Sequence, residues 1–529
     1  MKKILISGKL HQVAFDNFAK EPEIEVDYRP DYPREELLKI IGDYDAHISR
    51  SETDVDKEFI DAATRLSVIG RAAVGIGNID VDYATQKGIL VFNTPAKNTN
   101  SAAELTLMLM LAAMRNLTKA HNSMAQNLWD RHRFNGAELL GKTVGIIGLG
   151  NVGHRVCRFL KSFDCEVLTY DPYVSSEYCE GHGAKQVDFL ELVKNSDIIT
   201  IHTPKNKETV NMVQDAEIAQ MKDGVILINA ARGGLFNEDA MCRGLESGKI
   251  GALGLDTWDV EPVKEHPLKK FDNVVMTPHI GASTSEAQFR IGDTVSKEAI
   301  KALKGEIVST PVNLPDIKAF AAGDTPYYAS LSAKLGSFTR QLASPNLDPK
   351  RIEFHYRGKI NPSDWSLLKL SFLKEFLQGS MDTVVSYVNV LQIAEARGLN
   401  IVEKADKDFS AYDSAIRIEV VGERETICIG GTVFGGERQR LSYLNGFVFE
   451  VEPVGRIVAL VNKDLPGVIG HVGSVLGAAG VNINQFELSR NKKGGHAMAL
   501  VLVDDEVRPE VQAQIKAHTA IERLSVIEL

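Results

Sequence analysis

Residues 142–156 read KTVGIIGLGNVGHRV. An apolar run, Val144–Ile147, meets Gly148, Gly150 and Gly153 in GxGxxG spacing, and the helix-like stretch HRVCRFLKSF follows. Strand, tight turn and helix in that order point to the opening unit of a parallel α/β sheet. The first glycine allows the turn and the second lets backbone approach a pyrophosphate. The third lets helix pack close to strand. The helix N-terminus adds N–H donors and a positive dipole end. Asp171 closes the next strand, at about the 20-residue offset of a ribose-binding acid. A carboxylate there accepts ribose hydroxyls and repels a 2′-phosphate, so NAD is expected over NADP. GxGxxG alone is a weak signal. Here the flanking strand, helix and acid set the bland alternative, a structural turn, aside.

The βα alternation continues on both sides of this unit. Downstream come CEVLTYD, SDIITIH, GVILINAA, IGALGLDTW and NVVMTPHIG, giving six strands in a doubly wound domain. Upstream, KKILIS, EIEVDYR, YDAHISR and LSVIGRAA alternate with REELLKIIG and VDKEFIDAAT. One long helix is expected over residues 100–124, and PVNLP (311–315) reads as a linker. Beyond it the pattern is α+β rather than alternating. The last segment orders as βαββαβ, the ferredoxin-like arrangement.

A chain of 529 residues exceeds one core and suggests about three or four domains. With 60 basic and 70 acidic residues, the net charge of −10 argues against nucleic acid as the main partner. An anionic small molecule would need positive charge gathered locally. Five cysteines without CxxC spacing fit a reducing, cytoplasmic compartment. The N-terminus reads as a strand rather than a signal peptide. The apolar run LTLMLMLAAM is far short of the ~20 residues that span a bilayer.

Three polar residues follow strand ends in the doubly wound segment: Arg232 after GVILINAA, Glu261 after LGLDTWDV and His279 after NVVMTP. In such a sheet these ends face the cofactor. Hydride transfer between nicotinamide and an alcohol needs a proton carried in step. Histidine titrates nearest neutrality and suits that task. A carboxylate beside it stabilises the imidazolium and fixes the tautomer. An arginine fork grips a substrate carboxylate and polarises the adjacent carbonyl. An α-hydroxy or α-keto acid is the natural substrate class. Each residue alone has a bland alternative: an exposed loop histidine, a turn glutamate, an arginine bonding a helix end. All three at strand ends beside a dinucleotide fingerprint favour the chemical reading.

The stretches GIIGLGNVG, INAARGGLFNEDA, GLDTWDVEP and TPHIGAST resemble the D-isomer-specific 2-hydroxyacid dehydrogenases. The similarity extends to long members with two added C-terminal domains. It implies a flavodoxin-like substrate domain (1–96 and 290–316) into which a Rossmann cofactor domain (97–289) is inserted. An intervening α+β domain (317–452) and an ACT domain (455–529) follow. It implies NAD-dependent oxidation of D-3-phosphoglycerate to 3-phosphooxypyruvate, the first step of serine biosynthesis. His279 would be acid/base, Glu261 its partner and Arg232 a substrate ligand. Another D-2-hydroxy acid, or a non-catalytic NAD-sensing regulator, stays open as the alternative.

The resemblance also implies cofactor contacts at Asn151, Val152, Thr203, Ala230, Ala231, Arg232, Asp256, His279, Ile280, Gly281 and Ala282, besides the fingerprint residues. Substrate contacts would come from Arg50, Arg71, Val74, Gly75 and Asn98. Arg131 and Arg133 in WDRHRF could reach substrate across a subunit interface, or simply end a solvated helix. The family pattern GVDNID stands here as GIGNID, with Gly77 in place of the acid. In the ACT-like stretch 462–490, Asn462, Asp464 and Asn482 occupy positions where relatives bind L-serine, though such residues also cap helices. The glycine-rich IGGTVFGGE (429–437) reads as a flexible hairpin, or as an anion effector site. A dimer or tetramer is implied, and no metal.

Overall fold

Apolar β-runs near the N-terminus assemble into a five-stranded sheet in this computed structural model. The structure describes the chain apart from residues 307, 315–323, 345–346, 359, 361, 363–364, 379–384 and 407–411. The strands are β1 (Lys2–Ile6), β2 (Ile24–Tyr28), β3 (Ala46–Ser49), β4 (Val68–Arg71) and β5 (Leu90–Phe92). Their order is β2-β1-β3-β4-β5, all parallel. Ile4, Leu5 and Ile6 are buried in succession. Helices covering both faces of a parallel sheet explain why this strand reads as an unbroken apolar run. Strand order reverses between β1 and β3, a switch point where such sheets bind ligands beyond their C-terminal strand ends. Arg50 follows β3 there.

The helix Thr99–Met114 then leads away, burying Leu105, Leu109, Met110 and Met114. The long helix expected over 100–124 is two helices. Asn116 takes φ 51° and a second helix runs Leu117–Ala125. Asparagine is one of the few residues that accepts left-handed backbone.

The second sheet contains β6 (Thr143–Ile147), β7 (Glu166–Tyr170), β8 (Lys185–Gln186), β9 (Ile198–Ile201), β10 (Val225–Asn229), β11 (Ile250–Leu255) and β12 (Val274–Met276). Its order is β12-β11-β10-β9-β6-β7-β8, again parallel. It has one strand more than the six expected, because β8 has only two residues and leaves no periodic signal. Here the order reverses between β6 and β9.

From β12 the helix Ser285–Leu303 returns to the first sheet. Ile291, Val295 and Ala299 join the cluster of Ile4, Ile6, Ile48 and Val68. The Asn313 side chain then clips onto the β5 edge, accepting from Val91 N–H and donating to Thr85 Oγ1 and Ile89 O. The end of the expected linker at Pro315 and the domain start at residue 317 lie outside the described residues.

The third sheet holds β13 (Pro349–Gly358), β14 (Asn400–Asp406), β15 (Ser414–Gly422), β16 (Thr426–Phe434), β17 (Arg438–Leu444) and β18 (Phe447–Val451). It runs β14-β13-β15-β16-β17-β18, with only β13 and β14 parallel. The stretch 429–437 is a hairpin: β16 turns at Gly435 and Gly436, both at positive φ, into β17. The last sheet is antiparallel, β20-β21-β19-β22, from β19 (Arg456–Lys463), β20 (Ile483–Arg490), β21 (His496–Val503) and β22 (Ile521–Glu528). Helices Val468–Ala478 and Pro509–Lys516 complete the ferredoxin-like order. Among the described residues no helix is long and apolar enough to cross a membrane.

Candidate active site

The crevice at the β6–β9 switch point fits a dinucleotide. Gly148 turns at φ 89°, and a Cβ there would lie 2.9 Å from Thr203 Cγ2. A Cβ at Gly153 would sit 2.0 Å from Gly148 O, so the helix Gly153–Lys161 can approach only as glycine. At Gly150 a Cβ would meet nothing within 4 Å, so the turn is open on that side. The helix begins after Val152 and exposed Asn151 with no side-chain cap, which leaves N–H donors for an anion. Thr203 Oγ1 is buried without a partner, the mark of a group that a ligand satisfies. Asp171 accepts N–H bonds from Leu149 (2.8 Å) and Tyr173 (2.9 Å). These fix a carboxylate that keeps lone pairs for ribose hydroxyls.

The loop after β12 carries the acid/base candidate. His279 Nδ1 lies 2.7 Å from Glu261 Oε2, with both side chains partly exposed. An ionised Glu261 accepts only, so Nδ1 carries the hydrogen and Nε2 is left for a second partner. Glu261 Oε1 accepts from Trp258 N–H at 3.0 Å, and Trp258 Nε1 donates to Thr277 O at 3.1 Å. His279 stands at φ 53°, a strained position for a non-glycine residue that surrounding bonds must hold.

Asp256 supplies those bonds. It is fully buried, and its carboxylate accepts from Thr277 Oγ1 (2.6 Å), Ile280 N–H (2.8 Å) and Gly281 N–H (2.9 Å). Its carbonyl accepts from His279 N–H at 2.9 Å. A buried carboxylate with three donors is well compensated. In this structure Asp256 therefore shapes the loop His279–Ala282, a part that the resemblance alone does not assign to it.

Arg232 extends from the turn after β10. Asn229 holds that turn through bonds to Ala231 N–H (3.0 Å) and Arg232 O (2.8 Å). The sequence does not single out Asn229; its one signal is a polar residue ending the apolar strand VILIN. A Cβ at Gly75 would lie 3.1 Å from Arg232 Nη2, so the guanidinium reaches the loop after β4. Arg71 is buried there, with Nε donating to Gly75 O at 3.0 Å and Nη1 unpartnered. Burial lowers the Arg71 guanidinium to about 10; Glu52 and Asp54 pull against this, and the charges of Arg50 and Arg232 push with it. Burial lowers Arg232 as well, against the pull of Glu261. Arg50 donates through Nη1 to Lys9 O (2.9 Å) and Gln288 Oε1 (2.8 Å). Among the described residues no carboxylate forms an ion pair with any of the three. Three guanidiniums gathered here, with Glu52, Asp54 and Glu261 acting on Arg71 and Arg232 only at a distance and not in an ion pair, make an anion site.

Val74 O accepts from Asn93 Nδ2 at 2.7 Å, which fixes the loop beside Gly75. Asn98 precedes the helix Thr99–Met114 without capping it. A Cβ at Gly77 would meet nothing within 4 Å, so the position that departs from the family pattern is open. Arg131 and Arg133 lie in an exposed turn, and among the described residues no side-chain hydrogen bond joins them to this site. In the last domain Asn462 and Asp464 line a pocket of ≈ 440 Å³ with Leu488, Arg490 and Lys493. Asn482 lies at the other end of the sheet, bonded to Asp504, and does not reach this pocket within one chain. Glu353, His355 and Glu419 bring ligand atoms within 4.8 Å of one another. Lys404 (2.6 Å) and Arg351 (3.0 Å) already neutralise Glu353, which disfavours a cation.

Comparison with known proteins agrees along the whole chain. Residues 107–281 match the D-isomer specific 2-hydroxyacid dehydrogenase NAD binding domain. Residues 325–445 match the D-3-phosphoglycerate dehydrogenase intervening domain, and residues 456–519 match the ACT domain. A D-3-phosphoglycerate dehydrogenase of Methanocaldococcus jannaschii is 38% identical, covering 100% of both chains. That of Archaeoglobus fulgidus is 36% identical over 100% of both. Among solved structures, a D-lactate dehydrogenase from Aquifex aeolicus complexed with NAD and lactic acid is 30% identical, with a TM-score of 0.52. It covers 59% of this chain and 100% of that one. A glyoxylate reductase from Paecilomyes thermophila is also 30% identical, with a TM-score of 0.54, covering 59% of this chain and 98% of that one. Since the likeness to the first two relatives runs from end to end through every domain, this chain belongs to the D-3-phosphoglycerate dehydrogenases of the D-isomer specific 2-hydroxyacid dehydrogenase family.

Proposed function

We propose that the protein oxidises D-3-phosphoglycerate to 3-phosphooxypyruvate with NAD, the step that opens serine biosynthesis. The observation that carries this reading is the His279–Glu261 pair in one chain with three guanidiniums, Arg50, Arg71 and Arg232, that form no ion pair among the described residues. Full-length relatives named for this activity support it. NAD, when bound, supplies the hydride acceptor; the fingerprint turn, Asp171 and Thr203 would hold it. His279 takes the proton of the substrate 2-hydroxyl through Nε2 and becomes an imidazolium, which Glu261 stabilises. Arg232 holds the carboxylate and polarises the developing carbonyl. Arg50 and Arg71 receive the phosphate, with Val74, Gly75 and Asn98 at the rim. Asp256 and the segments Ala230–Arg232 and Ile280–Ala282 border the cofactor.

The same reading assigns substrate (1–96, 290–316), cofactor (97–289), intervening (317–452) and ACT (455–529) domains, and a cytoplasmic homotetramer. Five free cysteines suit a reducing compartment. Exposed Trp129, Leu117, Met124 and Leu140 offer an apolar surface to a second copy, with Arg131 and Arg133 beside it. L-serine is the proposed effector, bound by Asn462 and Asp464 together with Asn482 of a second copy. The test is NADH formation from D-3-phosphoglycerate and from unphosphorylated D-2-hydroxy acids, with and without serine. Preference for the phosphorylated acid is expected. His279→Ala should cut turnover by at least ~100-fold, the usual scale of acid/base catalysis, with NADH binding retained. Preference for D-lactate or D-glycerate would move the enzyme to another D-2-hydroxy acid. No turnover with any of them, alongside tight NADH binding, would make it an NAD-sensing regulator.

A further inference from the structure

Gln288 stands one turn into the helix Ser285–Leu303, which links the second sheet to the first. Its Oε1 accepts from Arg50 Nη1 at 2.8 Å, and its Nε2 donates to Ala282 O at 2.8 Å. Guanidinium can only donate and carbonyl can only accept, so these partners fix the amide orientation. No other neutral side chain of this length both accepts from one and donates to the other. The two partners belong to different parts of the site. Arg50 packs over Gly8 at the β1–β3 switch point, where a Cβ would meet its Cγ at 2.5 Å. Ala282 ends the loop that begins with His279 and is pinned at its middle by Asp256. The helix itself is anchored: Thr284 caps Ala287 N–H, and its Oγ1 lies 2.7 Å from Ser101 Oγ on the helix Thr99–Met114.

We propose that Gln288 is a positioning residue coupling anion recognition by Arg50 to the placement of the His279 loop. The proposal rests on the dehydrogenase reading above. An anion that draws the Arg50 guanidinium toward itself moves or frees the amide, and the amide holds the far end of the acid/base loop. Phosphate on the substrate then raises turnover as well as affinity. Of the three guanidiniums, Arg50 alone has this direct bond path to the loop among the described residues.

The experiment measures kcat and KM for D-3-phosphoglycerate and D-glycerate at saturating NAD in wild type, Q288M and Q288E. NADH affinity, followed by fluorescence, reports an intact cofactor site. In wild type the phosphorylated acid should have the higher kcat. In Q288M, which keeps the length and loses both bonds, that kcat ratio should fall roughly tenfold, the scale of one charge-assisted hydrogen bond. KM for D-3-phosphoglycerate should change less, because the cationic groups remain. In Q288E a carboxylate faces Arg50 and opposes Ala282 O. KM for the phosphorylated acid should rise roughly tenfold, with D-glycerate far less affected. If Q288M fails to bind NADH, Q288E carries the test. An unchanged kcat ratio, or an equal loss on both substrates, overturns the coupling and shows a merely structural residue. Wild type without activity on either acid overturns the dehydrogenase reading and this proposal with it.

Discussion

His47 on β3 is fully buried, with Nε2 2.8 Å from Ser7 Oγ and Nδ1 unpartnered. Burial lowers its imidazole to about 3, against ~6.5 in an unfolded chain. The folded state therefore refuses a proton that the unfolded state takes up. Stability from this group is complete above about pH 6.5 and falls by about 1.4 kcal/mol per pH unit as the pH drops toward 3. The check is the denaturant midpoint at which the β1 and β3 amides lose exchange protection, followed from pH 7 to 5. His47→Gln should flatten that dependence even if it lowers stability at pH 7; an unchanged slope would exclude His47 as the source. The sequence does not single out this histidine, because its depth emerges only when Ser7 on the segment after β1 and the Phe59 ring close over it. Arg232, Glu261 and His279 are legible because each follows an apolar strand in a sheet type that gathers such ends. Asn229 and Gln288 are not, since their partners emerge only when separate segments meet.

At the scale of elements, the fingerprint turn divides its glycines by task. A Cβ at Gly153 would collide with Gly148 O at 2.0 Å, whereas one at Gly150 meets nothing within 4 Å. Gly150 also avoids positive φ. Gly150→Ala should therefore keep stability within about 0.5 kcal/mol, yet weaken NADH binding at least ~10-fold by crowding the pyrophosphate approach. Gly153→Ala should displace the helix Gly153–Lys161 and cost stability by ~1–3 kcal/mol or more. Thermal unfolding and NADH titration of both variants separate the two effects. Full NADH affinity in Gly150→Ala would mean that the cofactor does not cross this turn. Most strands of both parallel sheets, though not the three-residue β5, were readable because burial on both faces makes them apolar runs. The break at Asn116 and the two-residue β8 were not. The apolar pattern continues through the break, and two residues carry no period.

At the scale of the molecule, the intervening and ACT segments share one core. Ile457, Ala459, Met498, Leu500, Leu502 and Ile527 of the last sheet are buried in the cluster of Leu335, Phe338 and Leu342. The Gln341 amide bonds both Glu528 N–H (2.9 Å) and Glu528 O (2.8 Å), and Arg523 bonds Glu425 (2.7 Å) and Leu342 O. The five larger of these side chains at ~1.5–3 kcal/mol each, an upper estimate, approach the whole stability of a typical domain. Toward the substrate sheet the contact among the described residues is slighter: Ser386 Oγ donates to Gly88 O at 3.0 Å. A chain ending at Leu314 keeps the Asn313 clip on β5 and uncovers little, so it should fold and keep dehydrogenase activity without any effector response. A chain ending at Pro453 removes only the last sheet, yet it exposes the helix Thr325–Leu342 and should bind a hydrophobic dye and aggregate. The longer of the two truncated chains would then be the worse-behaved protein. A well-folded, monodisperse 1–453 chain with unchanged thermal stability would mean that the two C-terminal segments fold independently. The shared cluster would then be a contact surface rather than a common core.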